Sequence, residues 1–330
     1  MRSLSSIRAQ EDRGRLHKRA ATLTAVRSHF PWLVKHNALP NYFLGSRKRT
    51  PEASEAARHS TVVFVRQPTL AGDVWSSCVE HFANGSHQGE SGTYSAQHFR
   101  HGIHTFGSCR NGSTPCSYFS AFHDPFRAAV STYKHCQSLT AWATSDTICA
   151  VVDANHVTLR QWLLHHGSVT FQHLVFNLRN NGSGSLNVSS WNRQKRDLER
   201  LGAADRDHLL DYVIDHLEKW FYVIALEDDV DSSAKLLETA FKLPFSHCAG
   251  ASRPHATAIV DNGTYQKKRK DHVTDYTESN GDPETDDDDN DPEYLVDDYS
   301  VRTALEADYK IYHRAKEIFK IQKQFVFNTI

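Results

Sequence analysis

The stretch Tyr118-Phe119-Ser120-Ala121-Phe122-His123-Asp124-Pro125-Phe126-Arg127-Ala128-Ala129-Val130-Ser131-Thr132-Tyr133-Lys134-His135-Cys136 constrains the fold of this chain more than any other. It passes from an aromatic run to a helical one across Asp124-Pro125. Asp is a favoured N-cap and Pro suits the first helical position, so the pattern predicts a short strand turning directly into a helix. Backbone N–H groups at a helix start have no partner within the helix and carry partial positive charge, which makes this turn a candidate anion seat.

Similar grammar recurs on both sides. Thr61-Val62-Val63-Phe64-Val65 has the length and β-branched content of a buried strand, ends before a loop at Pro68, and precedes a helical pattern over residues 74–82. Thr158-Leu159-Arg160-Gln161 reads as a capping box opening a helix that Gly167 stops. Helical patterns follow at residues 171–178 and 205–219. A third strand is predicted at residues 220–226, then an Asp-rich turn and an amphipathic helix over 233–241. Apolar residues at three-and-four spacing, among them Val301, Leu305, Tyr312, Ile318 and Phe319, predict one long closing helix over 299–322. Strands alternating with helices argue for an α/β fold with a parallel sheet.

Residues 1–58 are rich in Arg, Ser and Ala, with one apolar island at Phe30-Pro31-Trp32-Leu33-Val34, and read as a poorly packed lead-in or a stem with a short docked segment. The remainder, 59–330, reads as one domain. Its insertion at about 264–293 carries a basic run, Lys267-Lys268-Arg269-Lys270, and an acidic run, Asp286-Asp287-Asp288-Asp289, with few apolar residues between, so it reads as a disordered surface segment.

A net charge of −1 gives no global reason to expect nucleic acid as a partner. The 21 histidines read as compositional bias, and neither His-Glu-x-x-His nor Cys-x-x-Cys occurs, so no structural metal is expected. The P-loop kinase signature Gly-x-x-x-x-Gly-Lys-Ser/Thr is absent as well. Six cysteines are compatible with disulfides, and five glycosylation sequons begin at Asn84, Asn111, Asn181, Asn187 and Asn262, which favours a secretory route. The segment beginning Met1-Arg2-Ser3-Leu4 lacks the apolar centre of a signal peptide, and no window is long and apolar enough to span a bilayer. The expectation is membrane attachment only through an upstream anchor absent from this chain, and a cytoplasmic location without one.

The Tyr118–Cys136 stretch resembles the element that holds the 3′-phosphate in Golgi-type carbohydrate sulfotransferases, of the form Arg-Asp-Pro-x-x-Arg-x-x-Ser-x-Tyr. Asp124, Pro125, Ser131 and Tyr133 stand at its spacing; His123 takes the place of the first Arg, Ala128 that of the second, and Arg127 lies one residue early. The likeness extends over roughly residues 60–322. After the first strand, Pro68-Thr69-Leu70-Ala71-Gly72-Asp73 occupies the place of the family's phosphosulfate loop, with Thr69 where the family has Lys and Asp73 where it has a hydroxyl residue.

The resemblance implies a P-loop-NTPase-like three-layer fold, a central parallel sheet flanked by helices. It implies transfer of a sulfuryl group from 3′-phosphoadenosine 5′-phosphosulfate to a hydroxyl of a glycan or proteoglycan, in the Golgi lumen or at its membrane, without a metal. It assigns Pro68, Thr69 and Gly72 to the 5′-phosphosulfate and His123, Arg127 and Ser131 to the 3′-phosphate. His104 or His101, in a His-Gly-Ile-His segment, is implied as the base, since an imidazole near neutral pKa can accept the acceptor's proton. It also implies disulfides Cys136–Cys149 and Cys109–Cys116. Because Thr69, Asp73 and His123 remove charge from the donor site, a catalytically inactive relative that binds glycan or a partner enzyme is the alternative.

Overall fold

The computed structural model describes residues 24, 26–34, 38–44, 60–66, 73–84, 97–99, 116–138, 148–176, 188–251 and 290–327. Strands β1 (Thr61–Val65), β2 (Gln97–Phe99), β3 (Cys116–Phe122) and β4 (Val223–Leu226) form one parallel sheet in the order β2-β1-β3-β4. Every residue of β3 and β4 is buried. Both faces of these strands are therefore covered: β4 reads as an unbroken apolar run, and the two serines of β3, Ser117 and Ser120, are buried within it. The described helices, in chain order, are α1 (Asp73–Asn84), α2 (Pro125–Ser138), α3 (Leu159–His166), α4 (Val169–Val175), α5 (Val188–Glu199), α6 (Ala203–Trp220), α7 (Val230–Phe241), α8 (Phe245–Ala251), α9 (Pro292–Leu295), α10 (Tyr299–Ala304) and α11 (Glu306–Phe327). The described residues thus form an α/β protein with a small parallel sheet, most of them helical.

Several expected boundaries shift. The strand predicted at 220–226 begins only at Val223, because Trp220 closes α6 and the apolar run is shared between a helix end and a strand. Periodicity cannot divide such a run. The helix predicted over 171–178 ends at Val175. β2, between the first strand and the aromatic one, is three residues long and carries no apolar run to announce it.

The single closing helix expected over 299–322 is two helices meeting at Leu305. The cause is a side chain from elsewhere in the chain. The Ser168 hydroxyl donates to the Ala304 carbonyl at 2.8 Å and accepts from the Asp308 N–H at 3.4 Å. It thereby sits between the two groups that would otherwise close one helical turn, a known origin of helix breaks. Asp308 reciprocates: its carboxylate accepts from the backbone N–H of Thr170 at 2.9 Å and of Phe171 at 2.7 Å, capping α4 from another helix.

Gly167, between α3 and α4, makes this exchange possible. Its φ of 60° with ψ of −143° is a backbone conformation essentially reserved for glycine. A Cβ built there would meet the Ala304 carbonyl only at 3.5 Å, so the obstacle to a side chain is torsional rather than steric. Gly167→Ala is expected to cost about 2 kcal/mol, read as a lower urea midpoint with unchanged slope. An unshifted midpoint would contradict this.

The sheet's β4 edge is closed by one side-chain amide. Gln322 of α11 accepts from the Ile224 N–H at 3.1 Å and donates to the Ile224 carbonyl at 2.6 Å, as a neighbouring strand would. Asn41 donates to Gln322 Oε1 at 2.8 Å, and Tyr42 N–H bonds the Tyr222 carbonyl at 2.8 Å. Asn41 is 1% exposed, and Val26, Phe30 and Leu33 join the core. These described parts of the 1–58 segment are therefore built into the domain, with the apolar island at 30–34 docked on its core.

Cys136–Cys149 forms as expected. Cys78–Cys248, which ties α1 to α8, was not foreseen in the sequence. Cys116 is also disulfide-bonded, while Cys109, its expected partner, lies outside the described residues. Disulfides of this number suggest an oxidising, secretory-type environment. Among the described residues no helix is long and apolar enough to cross a membrane.

Candidate functional site

In open parallel sheets, ligands bind beyond the carboxyl ends of the strands, where the strand order reverses. Here β1 lies inside the sheet with β2 on one side and β3 on the other, so the reversal falls between β1 and β3. At this edge β3 ends at Phe122 and turns through His123-Asp124 into α2. Its neighbour β4, paired Phe122 to Leu226, ends in the acidic turn Glu227–Asp229. The Ser233 hydroxyl bonds both the N–H and the carbonyl of Leu226 at 2.9 Å, fixing where that acidic turn begins.

The two turns place His123 beside Asp228. His123 Nδ1 lies 3.6 Å from Asp228 Oδ1, within ion-pair range but beyond a hydrogen bond, and it has no hydrogen-bond partner among the described residues. The Tyr312 hydroxyl, reaching in from α11, donates to Asp228 Oδ2 at 2.5 Å. Tyrosine, carboxylate and imidazole therefore follow one another, with the carboxylate close enough to act on the ring by charge without a hydrogen bond to it. Burial pushes the His123 pKa down, with Asp228 and Asp124 opposing and Arg127 adding to the fall, so the ring is neutral near pH 7. Burial pushes Tyr312 up, helped by its bond to Asp228, and raises Tyr309 to about 12 with a contribution from Asp124. Both phenols stay protonated. The next carboxylate, Asp229, is neutralised by Lys323 Nζ at 2.7 Å.

The predicted helix start at Asp124-Pro125 forms, with one correction to its role. Asp124 Oδ1 accepts from the Arg127 N–H at 3.0 Å, so the chain's own carboxylate occupies the position assigned to an external anion. Arg127 is exposed, and Ser131 follows it by four residues, on the same helical face. Tyr133 serves the scaffold: its hydroxyl donates to the Val157 carbonyl at 2.9 Å.

Of the residues assigned from the sequence, His123, Arg127 and Ser131 thus belong to one strand-turn-helix unit at the carboxyl edge. Pro68, Thr69, Gly72, His101 and His104 lie outside the described residues. Asp228 and Tyr312 were missed. The first was signalled by an Asp-rich turn directly after an apolar strand; the second is hidden among the buried-face positions of its helix. An open hollow of about 640 Å³ lies near the far end of α2, lined by Tyr133, Lys134, Gln137, Asn155 and Thr158, apart from the His123 cluster.

What the geometry defines is a class, an α/β protein with a polar cluster at the carboxyl edge of a parallel sheet. No family model, no curated protein and no solved structure matches the chain.

Proposed function

We propose that the chain is a carbohydrate sulfotransferase of P-loop-NTPase-like, three-layer fold, taking a sulfuryl group from 3′-phosphoadenosine 5′-phosphosulfate to a glycan hydroxyl. The observation that carries this reading is the adjacency of two parallel strands, each followed in sequence by a helix. β1, followed in sequence by α1, and β3, followed by the His123-Asp124 turn and α2, run parallel and paired, so the carboxyl ends of the two strands share the edge where strand order reverses.

His123 fits this role, since a protonated imidazole is a phosphate donor and Asp228 stands beside its Nδ1. The donor nucleotide would supply the activated sulfuryl group. Around it, His123 takes up a proton and donates to the 3′-phosphate, and Asp228, held by Tyr312, steadies that protonated ring. Arg127 and Ser131 complete the 3′ side, and Pro68, Thr69 and Gly72 the 5′ side. His104 or His101 accepts the hydroxyl proton. Transfer of this kind draws its rate mainly from positioning and electrostatics. The location that accompanies this reading is the Golgi lumen or membrane.

A second reading, a catalytically inactive glycan- or enzyme-binding protein, is favoured by a specific observation. Around the neutral His123 stand two carboxylates, Asp124 and Asp228, and one cation, Arg127. That balance opposes a phosphate at pH 7. The substitution His123→Arg separates the two readings, because Arg is permanently charged and bidentate. Under the first, affinity for 3′-phosphoadenosine 5′-phosphate at pH 7.5 rises roughly tenfold by calorimetry. An unchanged affinity would sink the assignment of His123 to the phosphate.

A further inference from the structure

The chain has 12 tyrosines. Among those described, Tyr118, Tyr133, Tyr212, Tyr222 and Tyr312 are buried and Tyr42 and Tyr309 half-buried, whereas Tyr294 is 58% and Tyr299 83% exposed. The hydroxyls of Tyr133, Tyr212 and Tyr312 are hydrogen-bonded to the protein. Those of Tyr294 and Tyr299 have no hydrogen-bond partner among the described residues. Among the described tyrosines, these two phenols alone are presented to solvent.

Their surroundings are acidic. Tyr294 follows Asp291-Pro292-Glu293, is preceded in sequence by Asp286-Asp287-Asp288-Asp289, and is followed by Asp297 and Asp298. Asp291 is used locally, accepting from the Glu293 N–H at 2.9 Å, and Asp298 pairs with Arg160 at 3.0 Å. Glu293, immediately before the tyrosine, is exposed and forms no ion pair among the described residues. Leu295, fully buried, anchors the turn so that its neighbour faces outward. The helix carrying Tyr294 is a single four-residue turn, and such a turn opens locally at little cost, which a modifying enzyme requires.

We propose that Tyr294 is a site of tyrosine O-sulfation, with Tyr299 as its weaker neighbour. The phenol oxygen attacks the sulfur of 3′-phosphoadenosine 5′-phosphosulfate in a separate, tyrosine-directed sulfotransferase. An aryl O–S bond forms, the S–O bond of the phosphosulfate bridge breaks, 3′-phosphoadenosine 5′-phosphate leaves, and the phenolic proton passes to that enzyme's base. Such an enzyme needs an exposed phenol with a carboxylate directly before it and further acidic residues nearby, in the oxidising pathway that the disulfides suggest. The inference rests on compartment and exposure, independently of any donor site in this chain.

The test incubates the purified full-length protein with Golgi membrane extract and sulfur-35-labelled 3′-phosphoadenosine 5′-phosphosulfate, followed by alkaline hydrolysis and peptide mapping. The expected result is alkali-stable label on the Tyr294 peptide, reduced at least fivefold in Tyr294→Phe and abolished in the Tyr294→Phe/Tyr299→Phe double variant. A control without extract removes any self-labelling by the chain. Label absent from that peptide while a control acidic tyrosine peptide is labelled would overturn the proposal. So would equal labelling of wild type and the double variant.

Discussion

Replacing Cys78 and Cys248 together by alanine is expected to lower the free energy of unfolding by roughly 5 kcal/mol, the largest single effect in this molecule. The bond closes a loop of 170 residues in sequence and ties α1 to α8. A longer closed loop removes more conformational freedom from the unfolded chain, so its loss costs more. The Cys136–Cys149 bond spans only 13 residues, and its removal is expected to cost about 3 kcal/mol. Denaturant midpoints of the two double-alanine variants measure the order directly. A greater loss from the shorter loop would contradict it.

The second large effect is at Asp308. Asp308→Ala leaves the Thr170 and Phe171 N–H groups buried without their acceptor and is expected to cost about 3 kcal/mol. Complete burial pushes the Asp308 pKa up to about 7, against the opposing pull of those two N–H bonds. In the unfolded chain the same group ionises near 3.9. Below that value both states hold the proton. Between there and about 7 the folded protein keeps a proton that the unfolded chain has released, so stability falls as pH rises through this window and levels off above it. Asp308→Asn keeps a neutral side chain at every pH and is expected to remove this slope while costing less than alanine. A wild-type stability that rises from pH 4.5 to 6.5 relative to the Asn variant would reverse the assignment.

How much of this could be read from the amino-acid order depends on the range of the interaction. β1 and the strand-turn-helix at His123-Asp124 were legible because each is written in neighbouring residues: a β-branched run, and a cap followed by proline. The capping box at Thr158 and Gln161 forms in full for the same reason. What stayed hidden depends on partners far away in sequence. Ser168 splits the closing helix from 136 residues away, and Gln322 closes the sheet edge at Ile224 from 98 residues away. Neither leaves a periodic trace. The site divides along the same line, with Arg127 and Ser131 visible on one helix and Asp228 and Tyr312 joined to His123 only by the tertiary fold.

The site's central feature is a half-buried, neutral histidine beside a carboxylate, standing where a phosphate ligand is proposed. Because a bound anion favours the protonated ring, binding takes up a proton and strengthens as pH falls. The most direct measurement is calorimetric titration of the wild-type protein with 3′-phosphoadenosine 5′-phosphate at pH 7.5 and pH 5.5. Binding that is several-fold tighter at pH 5.5 is the expected result. No binding at either pH with millimolar nucleotide would contradict the donor site.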